Sequence, residues 1–161
     1  RVLEIGVGAG LLMAHLASGV EEYWGTDLSA QVIDALRGQV AERPELSDRV
    51  TLRAQAADVT EGLPEGFFDV VIVNSVVQYF PHGDYLAEVL QKALSLVVPG
   101  GAVFVGDVRD RRLLRTFRSA VQLHGAEPDS DPARLRRAIE QDVVLEKELV
   151  VDPGFFTAFA A

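Results

Sequence analysis

Along this chain the apolar positions switch between unbroken runs and helical spacing, and the switches mark out the elements. "VLEI", Val2 to Ile5, reads as a short buried strand, and Leu11–Leu16 as the start of a helix. "VEEYWGTD" predicts a second strand ending at Asp27. Val32, Ile33, Leu36 and Val40 then mark one face of a helix, with Ser29 as its N-cap and Pro44 where a stop is expected. "RVTLRAQAAD" predicts a third strand. "FFDVVIVNSVV" is the continuous β-branched run of a strand covered on both faces. Asp84 is expected to cap a helix whose buried stripe is Leu86, Val89, Leu90, Ala93, Leu94 and Val97. Pro99–Gly101 turns the chain into a fifth strand, "AVFVGDV". Strand and helix alternating in this way predict a parallel α/β sheet with right-handed crossovers.

Beyond residue 109 the pattern changes. Arg111–Leu123 and Ala133–Glu148 read as helices on either side of the turn-rich "GAEPDSDP". Asp152-Pro153 reads as an N-cap followed by proline at the first helical position, opening a helix with Phe155, Phe156 and Phe159.

Composition narrows the class. The 161 residues suit one domain, 1–161; 48% are hydrophobic and 24% charged, as in a soluble globular protein. No apolar run approaches the ~18 residues of a membrane span, so no membrane is expected as partner. A net charge of −9 argues against a general nucleic-acid binder. With no cysteine there is no disulfide framework or thiolate metal site, which permits a cytoplasmic location. His15, His82 and His124 show no ligand spacing, and no metal is expected. The chain opens at Arg1 inside a predicted strand, without Met, and reads as a fragment truncated at both ends.

The candidate chemistry gathers at the strand ends. Gly6, Gly8 and Gly10 follow the first strand, where an open parallel sheet binds its ligand and where missing Cβ atoms let a ligand approach the main chain. The spacing is G-x-G-x-G, with Leu11 where the dinucleotide fingerprint G-x-G-x-x-G has its third glycine. Glu4, just before the loop, would repel a pyrophosphate and attract a cation. A phosphate-free, positively charged nucleoside fits both features, and S-adenosylmethionine is such a molecule.

"EIGVGAG" resembles the first motif of class I S-adenosylmethionine-dependent methyltransferases. That resemblance implies a Rossmann-like fold: a five-strand parallel core in the order 3-2-1-4-5 with flanking helices, here without the family's C-terminal strands 6 and 7. It also implies a cofactor site of Glu4, Gly6, Gly8, Gly10, Asp27, Leu28, Asp58, Val59, Asn74 and Ser75. Asp27 would accept from the ribose hydroxyls, Asp58 from the adenine amino group, and the Val59 N–H would meet the ring. Each part has a plainer reading: a tight strand–helix turn, a cap, a solvated turn residue. A buried, unpaired Glu4 is the hardest to read so.

"EYWGTD", "NSVVQYFP", "GDVR" and "VVDPGFF" further resemble the methyltransferase domains embedded in nonribosomal peptide synthetases. This implies N-methylation of an aminoacyl group tethered to a carrier protein, with adenylation and carrier-protein domains of the same synthetase as partners. Asn74, Tyr79, Asp107 and Arg109 are then the acceptor candidates. Asn74 would orient the amine, Tyr79 wall the methyl group, Asp107 hold or deprotonate the amine, and Arg109 fix it or the acyl carbonyl. Gln78 and His82 stand nearby in sequence. The basic run "RDRRLLRTFR" reads as a solvated face or as a dock for an acidic carrier. Three alternatives stay open: a free-standing small-molecule O- or N-methyltransferase, an NAD-dependent oxidoreductase, and a non-catalytic nucleotide-binding domain.

Overall fold

A computed structural model describes residues 1–127 and 129–160. These form two compact units, one of Arg1–Asp107 and one from Val108 onward. In chain order the first unit holds β1 (Val2–Ile5), α1 (Leu11–Leu16), β2 (Tyr23–Asp27), α2 (Ala30–Ala41), α3 (Pro44–Ser47) and β3 (Val50–Ala54). β4 (Phe68–Asn74), α4 (Gly83–Leu96) and β5 (Val97–Gly106) complete it. The strands form one sheet in the order β3-β2-β1-β4-β5, and every pairing is parallel.

The order follows from the crossovers. The chain steps from β1 to β2 to β3 in one direction, returns, and places β4 on the other flank of β1. Right-handed connections therefore put α2 and α4 on opposite faces. α2 packs on β2 and β3, and α4 on β4 and β5. One face buries Val7, Met13, Tyr23, Ile33, Leu36 and Leu52 in a single cluster. α4 buries Leu86, Val89, Leu90, Ala93 and Leu96, a stripe at helical spacing. Burying one such Leu rather than an Ala is worth about 2–5 kcal/mol.

The sequence expectations needed correction at several element ends. Ser29 does cap α2, its Oγ accepting from the Val32 N–H at 3.3 Å. Pro44 opens the short α3 rather than only stopping α2. His82, not Asp84, caps α4: its Nδ1 accepts from the Tyr85 N–H at 3.1 Å, and Asp84 lies in the first turn. β5 begins at Val97 and passes through Pro99–Gly101 with an irregularity in its pairing to β4 between Phe68 and Val70.

The second unit holds β6 (Arg109–Asp110), α5 (Leu114–His124), α6 (Pro132–Val144), β7 (Val150–Val151) and α7 (Gly154–Phe159). β6 and β7 pair in parallel as a separate two-stranded sheet. α5 starts three residues later than the spacing of arginines suggests, and α6 stops before Leu145. Asp152 accepts from the Gly154 N–H at 2.8 Å, but Pro153 sits at the N-cap and not inside the helix. Among the described residues no helix is long and apolar enough to cross a membrane.

Candidate functional site

The sheet reverses its direction of growth between β1 and β4, and a cleft is expected outside the carboxyl ends of those strands. A cavity of about 560 Å³ lies there. β1 and its loop contribute Ile5, Gly6 and Gly8; the end of β2 contributes Asp27 and Leu28; Gln55, Ala56 and Ala57 follow β3. Ser75, Val76 and Tyr79 follow β4, and Tyr85 reaches in from α4.

The glycine loop is shaped by its neighbours. Gly6, Gly8 and Gly10 all have positive φ. At Gly6 (φ 81) a Cβ would stand 2.7 Å from Val76 Cγ2, so the loop and the turn after β4 touch only because that atom is missing. The loop amides are already bonded: Gly6 and Val7 donate to the Thr26 carbonyl, Gly10 to the Val7 carbonyl, and Gly8 to Asp27 Oδ2 at 3.0 Å. They do not form an open anion cradle of the kind that holds a pyrophosphate.

Asp27 is therefore fixed at both oxygens, since Oδ1 accepts from the Ser29 N–H at 2.9 Å. Two bonds leave part of the carboxylate's acceptor capacity for a ligand's hydroxyls. Among the described residues no lysine or arginine lines the cavity. A phosphate would meet a carboxylate and no compensating cation, whereas a phosphate-free nucleoside meets the acceptor it needs.

Asp58 does not line this cavity directly, yet its orientation is controlled from a wall. Tyr85 Oη donates to Asp58 Oδ1 at 2.7 Å, and Lys92 Nζ donates to the Asp58 carbonyl at 2.7 Å. Burial and the Asp58 carboxylate push the Tyr85 phenol up to about 12. Val59, expected to offer its N–H to a ring, donates it to the Ala56 carbonyl at 3.1 Å. Sequence reasoning missed Tyr85 and Lys92. The available signal was two long polar side chains two helical turns apart beside the apolar stripe of α4.

Glu4 lies in the sheet, 3% exposed, and its carboxyl accepts from Tyr23 Oη at 2.5 Å. It does not line the cavity either. Burial, the largest influence, and the nearby Asp27 raise its pKa from an ordinary carboxylate value to about 7, against the lowering effect of the Tyr23 bond. Tyr23 is held above its normal range by burial and by that carboxyl.

At the ends of β4 and β5 a second group assembles. Asn74 Nδ2 donates to Ser75 Oγ at 3.0 Å, and Ser75 Oγ donates to Asp107 Oδ2 at 2.9 Å. Tyr79 is 74% exposed and lines the cavity. Gln78 is buried, its Nε2 donating to the Ser75 carbonyl at 2.9 Å. Arg109 belongs to the second unit, where it pairs with Glu148 at 2.9 Å and lies over the Phe117 ring. The basic run is largely neutralised within that unit: Arg115 pairs with Glu140 and Arg118 with Glu146. Among the described residues no cluster of His, Asp and Glu could hold a metal.

A doubly wound parallel sheet, a bare loop at its reversal point and a cavity whose charged lining residue is Asp27 suit a phosphate-free nucleoside better than a pyrophosphate. A family model described as a methyltransferase domain matches residues 3–103, and the chain belongs to that family, the S-adenosylmethionine-dependent methyltransferases. It is also similar to segments of nonribosomal peptide synthetases. It is 50% identical over 159 residues to the nonribosomal peptide synthetase CymA of Salinispora arenicola, covering 98% of this chain and 2% of that protein. It is 46% identical over 159 residues to the chondramide synthase cmdD of Chondromyces crocatus, covering 99% of this chain and 4% of that one. The chain thus spans a small fraction of the relatives it matches. The CcbJ methyltransferase from Streptomyces caelestis superimposes with a TM-score of 0.59 at 29% identity, over 65% of this chain and 41% of that one.

Proposed function

We propose that this chain binds S-adenosylmethionine in the cavity at the β1–β4 reversal and N-methylates an aminoacyl group carried on a carrier protein. The adenylation and carrier-protein domains of the same synthetase would be its partners. The observation that supports the cofactor reading best is the cavity wall: Asp27 held by the Gly8 and Ser29 amides, with no lysine or arginine beside it. Asp27 takes the ribose hydroxyls, and charge-assisted bonds make that contact strong. Asp58, held by Tyr85 at the cavity wall, takes the adenine amino group, and Gly6, Gly8 and Leu28 border the nucleoside. The cofactor, when bound, supplies a methyl carbon activated by a positively charged sulfur.

The chain's own part is then alignment. Asn74, Ser75 and Asp107 sit together at the next two strand ends, and Ser75 and Tyr79 also line the cavity. An acceptor amine held there is oriented for in-line attack, and good orientation supplies roughly 7–11 kcal/mol of a barrier. Asp107 is the group that can take the proton the amine must lose, a role typically worth about 10²–10⁴-fold. The large share of the synthetases that lies outside this chain supports a tethered acceptor over a free one.

Calorimetric titration tests the cofactor reading. S-adenosylmethionine and S-adenosylhomocysteine are expected to bind and NAD not; binding of NAD alone overturns it. Mass spectrometry of the full-length protein's carrier segment, after incubation with ATP, amino acids and S-adenosylmethionine, tests the acceptor. A gain of one methyl on the carrier-bound aminoacyl group is expected, and methylation of free amino acids alone would favour a small-molecule enzyme.

A further inference from the structure

The main chain and the Asp58 side chain of the loop after β3 are held by different partners. The Gln55 N–H donates to the Asp27 carbonyl at 2.9 Å, the Gln55 side chain to the Val59 carbonyl at 2.6 Å, and Lys92 Nζ to the Asp58 carbonyl at 2.7 Å. These bonds fix the main chain and leave the Asp58 carboxylate out. Among the described residues, the hydrogen bond that reaches the carboxylate comes from Tyr85 Oη, at 2.7 Å on Oδ1. Gln55, Ala56 and Ala57, which lead to Asp58, line the cavity, and so does Tyr85. The Tyr85–Asp58 bond therefore joins two parts of the cavity lining, the loop after β3 and α4.

Tyr85 is itself held. Its N–H donates to His82 Nδ1 at 3.1 Å, and its ring stands edge-on to Phe80, another lining residue, with centroids 5.0 Å apart. The hydroxyl has a single proton and a carboxylate has none to give, so Tyr85 is the donor. Burial, and after it the bond to Asp58, push the phenol up to about 12, and the proton stays on Tyr85 at neutral pH. A carboxylate can accept from about four donors, and this bond fills one site. Lys92 Nζ takes up no other, since it goes to the main chain and to Glu88. Asp58 thus keeps acceptor capacity for a ligand, and the cost of ordering its side chain does not fall on binding.

We infer that Tyr85 is a positioning residue: its hydroxyl holds the Asp58 carboxylate at the cavity edge, so that the site prefers a purine bearing an exocyclic amino group. The inference rests on the cofactor reading above and names what makes that site selective. An amino group gives Asp58 an N–H, and a bond to a charged acceptor is of the stronger kind. A purine with hydrogen at the same carbon desolvates the carboxylate and returns no bond, and that loss is the larger source of discrimination. A carboxylate without its tether turns to water instead, which removes the penalty on the wrong base. Tyr85→Phe keeps the ring edge against Phe80 and removes the hydroxyl alone, while the loop keeps its main-chain bonds.

The test titrates the full-length protein by calorimetry with S-adenosylhomocysteine and with its analogue in which hydrogen replaces the purine amino group. The wild type is expected to bind the amino compound about 10- to 100-fold more tightly, the value of a hydrogen bond to a charged group. Tyr85→Phe should lower that preference about 5- to 10-fold. A loss of folded protein changes the stoichiometry of both titrations alike and leaves the ratio of Kd values untouched, so a merely structural effect does not mimic this result. In Asp58→Ala the preference should be nearly abolished. Adding Tyr85→Phe to it should lower the preference no further, as expected of two residues that act as a unit. Equal weakening of both ligands by Tyr85→Phe, with the preference unchanged, overturns the proposal. So does a wild type that binds the two compounds within about twofold of each other. A wild-type preference retained by Asp58→Ala, or a further loss when Tyr85→Phe is added to it, overturns it as well. If the wild type binds neither compound, the cofactor reading itself falls and this inference with it.

Discussion

Glu4 places a carboxyl inside the sheet, where burial disfavours its charge. It is almost fully buried, and its one hydrogen bond comes from Tyr23. Its pKa is raised from an ordinary value of 4.5 to about 7. A raised acid pKa means that the folded state holds a proton the unfolded chain has already lost. Between about pH 4.5 and pH 7 stability therefore falls as pH rises, and the whole penalty, about 3 kcal/mol, is present above pH 7 and absent below about pH 4.5. Glu4→Gln keeps an acceptor for Tyr23 and cannot ionise. The Tm of the variant relative to wild type, followed by calorimetry from pH 5 to pH 8, should rise steadily. A difference independent of pH would mean that Glu4 is ionised throughout. The Tyr23 partner was beyond sequence reading, because residues 4 and 23 meet only when β2 lies beside β1.

Among the elements, those with long or uniform patterns were legible and those defined by a local exception were not. Four of the five parallel strands read correctly because both of their faces are covered, or because their alternation matched one buried face. The strand order also follows from the class that the glycine loop suggests. β6 and β7 have two residues each, too few to show any period, and the apolar pattern carries the fifth strand on to Val108, past its end at Gly106. β5 stops at Gly106, and the positive φ of Asp107 turns the chain away there. The bonded set of Asn74, Ser75 and Asp107 joins two strand ends through that turn, so its members could be suspected singly but not as a set. The cap of α4 is another exception: Asp is the usual choice, yet a neutral imidazole nitrogen two residues earlier accepts the same kind of orphan N–H. His82→Ala should lower stability by about 1 kcal/mol, measured by urea unfolding at pH 8. Asp84→Ala should cost less, since Asp84 contributes only its charge in the first turn. The reverse ranking would return the cap to Asp84.

At the scale of the whole molecule, the cavity lies within the first of the two units. Every residue lining the cavity lies between Ile5 and Tyr85. The five-stranded sheet, its helices and the buried clusters on both faces also lie within Arg1–Asp107. The second unit has its own sheet and its own ion pairs, Arg118–Glu146 and Arg109–Glu148 among them. A fragment of residues 1–107 should therefore fold and bind S-adenosylhomocysteine with an affinity within a few-fold of that of the 161-residue chain. Its weak point is β5, which has an unpaired edge in this sheet and carries the half-exposed Phe104. Calorimetry should accordingly be run at low protein concentration, with light scattering to show that the fragment is monomeric. Loss of binding by a monomeric, cooperatively unfolding fragment would show that the nucleoside site needs residues beyond Asp107. Retained binding together with lost methyl transfer would place the second unit's contribution on the acceptor side.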